Sequence, residues 1–317
     1  MKIPGMVWEK VMPVIDHCRK VIPVKRFQYI LLLVFACCAT SATAYAGQED
    51  PVFLWSVETE KNTVYLLGSV HVLTRDAYPL DKRMEKAYID SACIVLEADM
   101  MGMARPETRM KMASAGTYPD GENLKEHISE ETYDALKQKA EAAGMSMERF
   151  DTLKPWLCAV TLSGIELRRM GFDPALGIDS HFYTRAHQDR KELIFLETPE
   201  YQIDLIAGLL QDRPEDILKQ TFRQLEVIEK MAADILGAWK SGDAAKMESI
   251  VNMSLKGYPD IHDALFARRN TDWTARIEKL IGQDRNVLVI VGAGHLVDEK
   301  GIVNQLRQKG YTVTQKP

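Results

Sequence analysis

Two tetrapeptides hold the side chains of this chain best suited to chemistry. Gly68-Ser69-Val70-His71 and Gly292-Ala293-Gly294-His295 both read Gly-x-x-His, and they follow the apolar runs 63–67 and 287–291. An imidazole presented just beyond a buried strand can ligate a metal or move a proton near neutral pH. Two acids stand in matching positions: Glu97 closes Ile94-Val95-Leu96, and Glu197 closes Ile194-Phe195-Leu196. In open α/β sheets, ligands bind outside the carboxyl ends of the strands. Four such ends on one edge would gather two imidazoles and two carboxylates, a set suited to Zn²⁺, Mn²⁺ or Co²⁺ with positions left for water. A metal there would lower the pKa of bound water and make a nucleophile without serine or cysteine chemistry. The competing reading of each residue alone is a solvated loop histidine or a solvated strand end.

The elements that must position these residues are legible in outline. Residues 53–58 and 63–67 flank Thr59-Glu60-Lys61-Asn62, which reads as a hairpin. Residues 93–97, 192–197, 287–291 and 311–315 read as further strands. Helical patterns cover 81–90, much of 107–171, 201–210, 214–241, 244–255, 261–281 and 302–309, with Gly144 as a stop and Pro155 opening a first turn. Strands therefore cluster towards both ends of the chain, with two helical blocks between them. The expected class is α/β, a single domain with a central mixed β-sheet and two inserted helical blocks. The two strand–Gly-x-x-His units are candidates for related halves.

The chain has 317 residues and 46% hydrophobic content, enough for a large core. Lys25 and Arg26 precede an apolar stretch and then Ala44-Tyr45-Ala46, the order of a secretory signal peptide over residues 1–46, leaving a domain over 47–317. The apolar stretch is short for a spanning helix, so no transmembrane anchor is expected after cleavage. The expected location is periplasmic or secreted. A rival reading places a lipid anchor on Cys37 or Cys38, although Phe35 is bulky for a lipobox.

Removing residues 1–46 leaves 34 Lys and Arg against 43 Asp and Glu. That acidic balance, without a basic stripe, argues against nucleic-acid binding. Cys93 and Cys158 remain, free to pair on export or to sit as buried thiols.

Common hydrolase signatures are missing: there is no His-Glu-x-x-His helix and no Gly-x-Ser-x-Gly elbow. Gly292-Ala293-Gly294 lacks the third glycine of a dinucleotide loop. Arg268-Arg269-Asn270 and Trp273 fall in a helical pattern, where a guanidinium could clamp a carboxylate or stabilise an oxyanion. Lys154-Pro155-Trp156 reads as a helix start. His127, His187 and His262 sit in polar surroundings and read as solvated, and His181 stays open.

Taken in order, Leu-Leu-Gly-Ser-Val-His (66–71), Leu-Glu-Ala-Asp (96–99), Lys-Pro-Trp (154–156) and Gly-Ile-Asp (177–179) resemble the TraB/GumN family. The resemblance continues through Leu-Glu-Thr (196–198), Arg-Asn-x-x-Trp (269–273) and Val-Gly-Ala-Gly-His-Leu (291–296), covering about residues 52–315. That family includes the Tiki-like metal-dependent proteases and is distantly similar to erythromycin-esterase and ChaN-like proteins. The resemblance implies an exported metal-dependent hydrolase, foremost a peptidase, acting on a peptide or small-molecule substrate. It also implies His71, His295 and Glu97 as metal ligands, with Glu97, Arg269, Glu197 and Asp179 as catalytic residues. A non-catalytic ligand-sequestering protein and an esterase are the alternatives. One departure is Asp298, where many members place a glycine soon after the leucine.

Overall fold

The computed structural model describes residues 50–211 and 213–317. The signal peptide and the Cys37 lipidation site expected from the sequence lie outside them. No described helix is long and apolar enough to cross a membrane.

Six strands form one sheet in the order β4-β3-β5-β2-β1-β6. They are β1 (Leu54–Glu58), β2 (Thr63–Ser69), β3 (Cys93–Leu96), β4 (Glu192–Phe195), β5 (Val287–Gly292) and β6 (Val313–Gln315). The adjacent strands β4, β3, β5 and β2 run parallel, while β1 returns antiparallel to β2 and pairs antiparallel with β6. The sheet is therefore mixed, as the sequence pattern leads one to expect. Val287 to Val291 are fully buried, which explains their unbroken apolar run: a central parallel strand is covered on both faces. The hairpin turn is tied to that strand's entry, because the buried Asn62 amide donates to the carbonyls of Leu280 and Arg285, both at 2.9 Å.

The longer helices are α1 (Lys82–Asp90), α2 (Pro106–Gly116), α3 (Glu130–Ala142), α4 (Pro155–Arg169), α5 (Ile178–Gln188), α6 (Pro199–Leu210), α7 (Pro214–Leu225), α8 (Ile228–Lys240), α9 (Ala244–Ser254), α10 (Arg268–Glu278) and α11 (Ile302–Gln308). Local chemistry sets their starts. Asp81, Ser129 and Thr198 accept backbone amides of the first turn as N-caps, and Pro155, Pro199 and Pro214 occupy the first helical position.

The two helical blocks share a satellite core, where Leu136 and Phe150 of the first meet Leu218 and Phe222 of the second. This explains why the pattern over 214–241 is two helices rather than one. The apolar face of α7 serves the satellite core, whereas Ala238 and Trp239 of α8 pack on the sheet. Cys93 and Cys158 are separate buried thiols in these two cores. Burial raises their pKa values to about 11 and about 12, so they are inert at neutral pH.

Candidate functional site

Parallel strands bring His71, His295, Glu97 and Glu197 to one edge. All four lie just beyond the carboxyl ends of β2, β5, β3 and β4, which are consecutive neighbours in the sheet. The histidine ends stand side by side, since Ser69 pairs with Gly292. Gly292 marks the common point. A methyl group there would lie 3.3 Å from Glu97 Oε1, 3.5 Å from His295 Cδ2 and 3.6 Å from His71 Nε2. Its backbone is ordinary (φ −50°, ψ 136°), so no turn requires this glycine, and a methyl there would only line the shared space more tightly. Gly68 is the one required for space, since a methyl there would overlap the buried Phe53 ring.

The two histidines differ in state. His71 is on the surface of the cleft, its side chain 65% exposed, with Nδ1 held 2.8 Å from Asp179 Oδ2. The Asp179 carboxylate, with help from Glu97, raises the His71 pKa to about 10. Asp179 sits in the first turn of α5, and its helix is locked to the histidine loop. Ile178 donates its amide to the Val70 carbonyl, and a methyl at Gly177 would lie 2.3 Å from the His71 carbonyl oxygen. Gly177→Ala should therefore displace Asp179 from His71 and lower any activity at least ~10-fold, measurable as turnover at unchanged helix content. A substitution without loss of turnover would show that this contact is dispensable.

His295 is buried. Nδ1 lies 2.6 Å from Asn270 Oδ1, and Nε2 lies 3.2 Å from Arg269 Nη1. Because the Arg269 nitrogen must donate, Nε2 carries the lone pair and the proton is on Nδ1. Phe266 and Trp273 border the ring. Burial pushes its pKa down to about 3, and Arg269 adds to the effect.

This has a consequence for pH. The unfolded chain protonates His295 near 6.5 while the folded chain does not, so stability is full above 6.5 and falls as pH drops towards 3. His295→Gln should flatten that limb by roughly 3–5 kcal/mol over the interval, read from chemical denaturation at a series of pH values. An unchanged slope would overturn the assignment.

Arg269 organises the remainder. Nε donates to Glu197 Oε1 at 2.9 Å, and Nη2 donates to Glu197 Oε2 at 2.8 Å and Glu97 Oε2 at 3.1 Å. Nη1 donates to the Leu265 carbonyl at 3.0 Å as well as facing His295. All five guanidinium N–H groups are thereby occupied, so Arg269 holds the acids and has no donor left for an oxyanion. Trp273 Nε1 also donates to Glu197 Oε1 at 3.1 Å, leaving Glu197 tied to protein groups. Glu97 is better placed: Oε1 accepts the Gly292 amide at 2.7 Å and borders the shared point. Burial opposes its charge, but the rings of His295 and His71, the Arg269 guanidinium and the Gly292 amide hold its carboxyl below the usual range.

Among the described residues, no group of three or more His, Cys, Asp or Glu is spaced to hold a metal ion. His71 Nε2 and Glu97 Oε1 both border the space at Gly292, whereas both ring nitrogens of His295 are engaged. The sequence pattern places Asn270 and Trp273 in a motif without assigning them a role, and it does not mark Trp239. Trp239 Nε1 donates to the Gly68 carbonyl at 2.7 Å and fixes the end of β2. A tryptophan amid a helical pattern signals only burial, so that bond had no mark in the sequence. His262, expected to be solvated, is partly buried, 3.4 Å from Asp298 and beside Phe266. Asp298 has φ 72°, the left-handed region that glycine favours, which accounts for the unusual residue after His295.

The sequence pattern of the TraB/PrgY/gumN family matches residues 53–315. The chain is 26% identical to the "Uncharacterized protein YbaP" of Escherichia coli over 243 residues, 77% of this chain and 87% of that one. It is 23% identical to "Metalloprotease TIKI2" of Xenopus tropicalis over 326 residues, covering 86% of this chain and 61% of the relative. It is 22% identical to "Metalloprotease TIKI1" of Homo sapiens over 319 residues, covering 84% and 62%. No solved structure gives a significant match. With its signature histidines and acids gathered on one sheet edge, the chain belongs to the TraB/PrgY/gumN family.

Proposed function

We propose that this chain is an exported, metal-dependent hydrolase that cleaves peptide bonds with an activated water held between His71 and Glu97. One observation supports the reading above others: His71 Nε2 and Glu97 Oε1 both border the space at Gly292, at the carboxyl edge of a parallel sheet. Two relatives named as metalloproteases agree with it. The donor chemistry fits a divalent cation at two positions. His71 has its Nδ1 oriented by a carboxylate, and its Nε2, which borders the Gly292 space, would give up its proton to bind a cation. A cation such as Mn²⁺, Co²⁺ or Zn²⁺ would be held by His71 and Glu97, with water on other positions, and would supply a water of lowered pKa.

The chain's own residues do the rest. Asp179 keeps the His71 ring turned so that Nε2 faces the cleft. Arg269 keeps Glu97 ionised, the state in which its carboxylate would hold a cation. Glu197 and His295 act through Arg269 rather than on substrate, as positioning residues. Export belongs to the same proposal, resting on the basic, apolar and Ala-x-Ala order before residue 47.

The test is elemental analysis of protein purified without chelator, followed by a peptide-library cleavage assay with and without Mn²⁺ or Co²⁺. Cleavage that is lost with EDTA and restored by the metal is expected. Stoichiometric peptide capture without product would instead favour a sequestering protein, and turnover of esters alone would favour an esterase. N-terminal sequencing of protein from a secreted or periplasmic fraction, expected to begin at Gly47, checks export.

A further inference from the structure

The outermost parallel strand carries an unused recognition element. β4 closes one side of the sheet and pairs with β3 alone. Leu196, just beyond it, gives its amide to the Leu96 carbonyl at 2.9 Å. Backbone groups alternate in direction along an extended strand. Leu193 and Phe195 therefore turn their N–H and C=O groups away from β3, and no described residue takes them up. An edge of this kind is a template for another extended chain.

The end of this edge opens on a cavity rather than on a flat surface. A space of about 650 Å³ is walled by Phe195 and Leu196 of the strand end, Pro199 and Tyr201 of α6, and Trp273 and Arg276 of α10. Its walls are mixed: these apolar and aromatic groups adjoin the charged side chains of Asp99, Arg105, Glu200 and Asp272, so a side chain seated there would have polar partners at its rim. Tyr201 is 45% exposed at its margin. The cavity also reaches Glu197, whose carboxylate is joined through Arg269 to Glu97. Strand edge, cavity and reactive pair thus follow one another along the same end of the sheet.

We propose that an extended peptide binds as an added strand along the open edge of β4, seats an apolar or aromatic side chain between Tyr201 and Trp273, and passes over Glu197 towards His71 and Glu97. Main-chain bonds to Leu193 and Phe195 supply affinity, and the cavity supplies side-chain preference. The inference rests on the hydrolase reading only for the fate of the bound peptide.

The test compares Leu193→Pro with Leu193→Ala. Proline removes an outward N–H that the protein itself does not use, and edge strands tolerate it at such a position. Alanine loses the same side chain but keeps the amide. Fluorescein-labelled short peptides, selected from a random library on the His71→Ala variant, are the probes, with anisotropy as the readout. Leu193→Pro should bind them about tenfold more weakly than Leu193→Ala, the worth of one main-chain hydrogen bond. Tyr201→Ala should shift the selected peptides away from aromatic and large apolar residues. Equal affinity in the two Leu193 variants, or failure of every library peptide to bind, overturns the proposal. Cleavage is scored separately on the native protein with Mn²⁺ or Co²⁺. Peptide that binds through the edge but stays intact removes the hydrolase reading and leaves this one standing. Cleavage whose KM is unaffected by Leu193→Pro does the reverse.

Discussion

His71→Ala is expected to reduce turnover by at least ~10²-fold, the range for loss of a positioned acid–base group, and to cost less stability than Arg269→Met, because the lost pair with Asp179 is solvent-screened on the histidine side. The physical reason is location. The His71 side chain is 65% exposed at the end of β2, so its removal leaves no cavity in the core. Its partner Asp179 is 13% exposed and sits in the first turn of α5, where the helix dipole favours a negative charge. Metal content should fall together with turnover, because the variant lacks one of the two donors proposed to face the cleft. Glu97→Gln should reproduce the loss of turnover through the other donor. A His71→Ala protein with native metal content and native turnover would remove His71 from the mechanism.

Arg269→Met is expected to produce the largest loss of stability, about 3–5 kcal/mol, because one buried partner disappears and the opposite charges stay. Glu97 and Glu197 have side chains 13% and 8% exposed, and the Arg269 side chain, itself 9% exposed, gives hydrogen bonds to both carboxylates. Without it, the two buried acids keep only the Gln202 amide between them, and their repulsion favours uptake of a proton by one. The deficit should therefore shrink as pH falls below neutrality, the opposite of the slope expected from His295. Arg269→Met combined with Glu197→Gln removes one uncompensated charge and should recover part of the loss. Arg269→Lys restores charge but not the fork that reaches Glu197 through two nitrogens, so it should rescue only partly. Denaturant unfolding at several pH values measures all three variants. A change of less than about 1 kcal/mol in Arg269→Met would mean that the network is solvated and not buried.

Much of the site was legible because its residues share a local signature. A strand that ends in a charged or titratable side chain is visible as an apolar run with an abrupt stop, and β2, β3, β4 and β5 all have that form. The glycines were visible too, but not their reason. Gly68 is small because the Phe53 ring occupies the space, and Gly292 borders Glu97, His295 and His71, both facts about neighbours distant in sequence. The role of Arg269 was the hardest to read. From its helix it could point to solvent, substrate or acid alike. Only the meeting of α10 with the ends of β3, β4 and β5 shows its donors filled by Glu97, Glu197, His295 and Leu265. Likewise, the contrast between the two Gly-x-x-His histidines is invisible in their matched tetrapeptides. One is exposed beside Asp179, and the other is enclosed by Asn270, Phe266 and Trp273.

By itself, the sequence determined the strands and most helix starts, since hydrophobic period, N-caps and first-turn prolines act over a few residues. It also determined the reactive inventory: two histidines, two strand-end glutamates, Asp179 and Arg269. The tertiary structure alone decided the order of the strands, and with it that four parallel ends adjoin and meet at Gly292. It decided as well that His295 is neutral and enclosed while His71 is exposed beside Asp179, and that the edge of β4 stays open beside a cavity. These are properties of long-range packing: burial, charge pairing and available space depend on which distant segments are neighbours, and no local pattern encodes that.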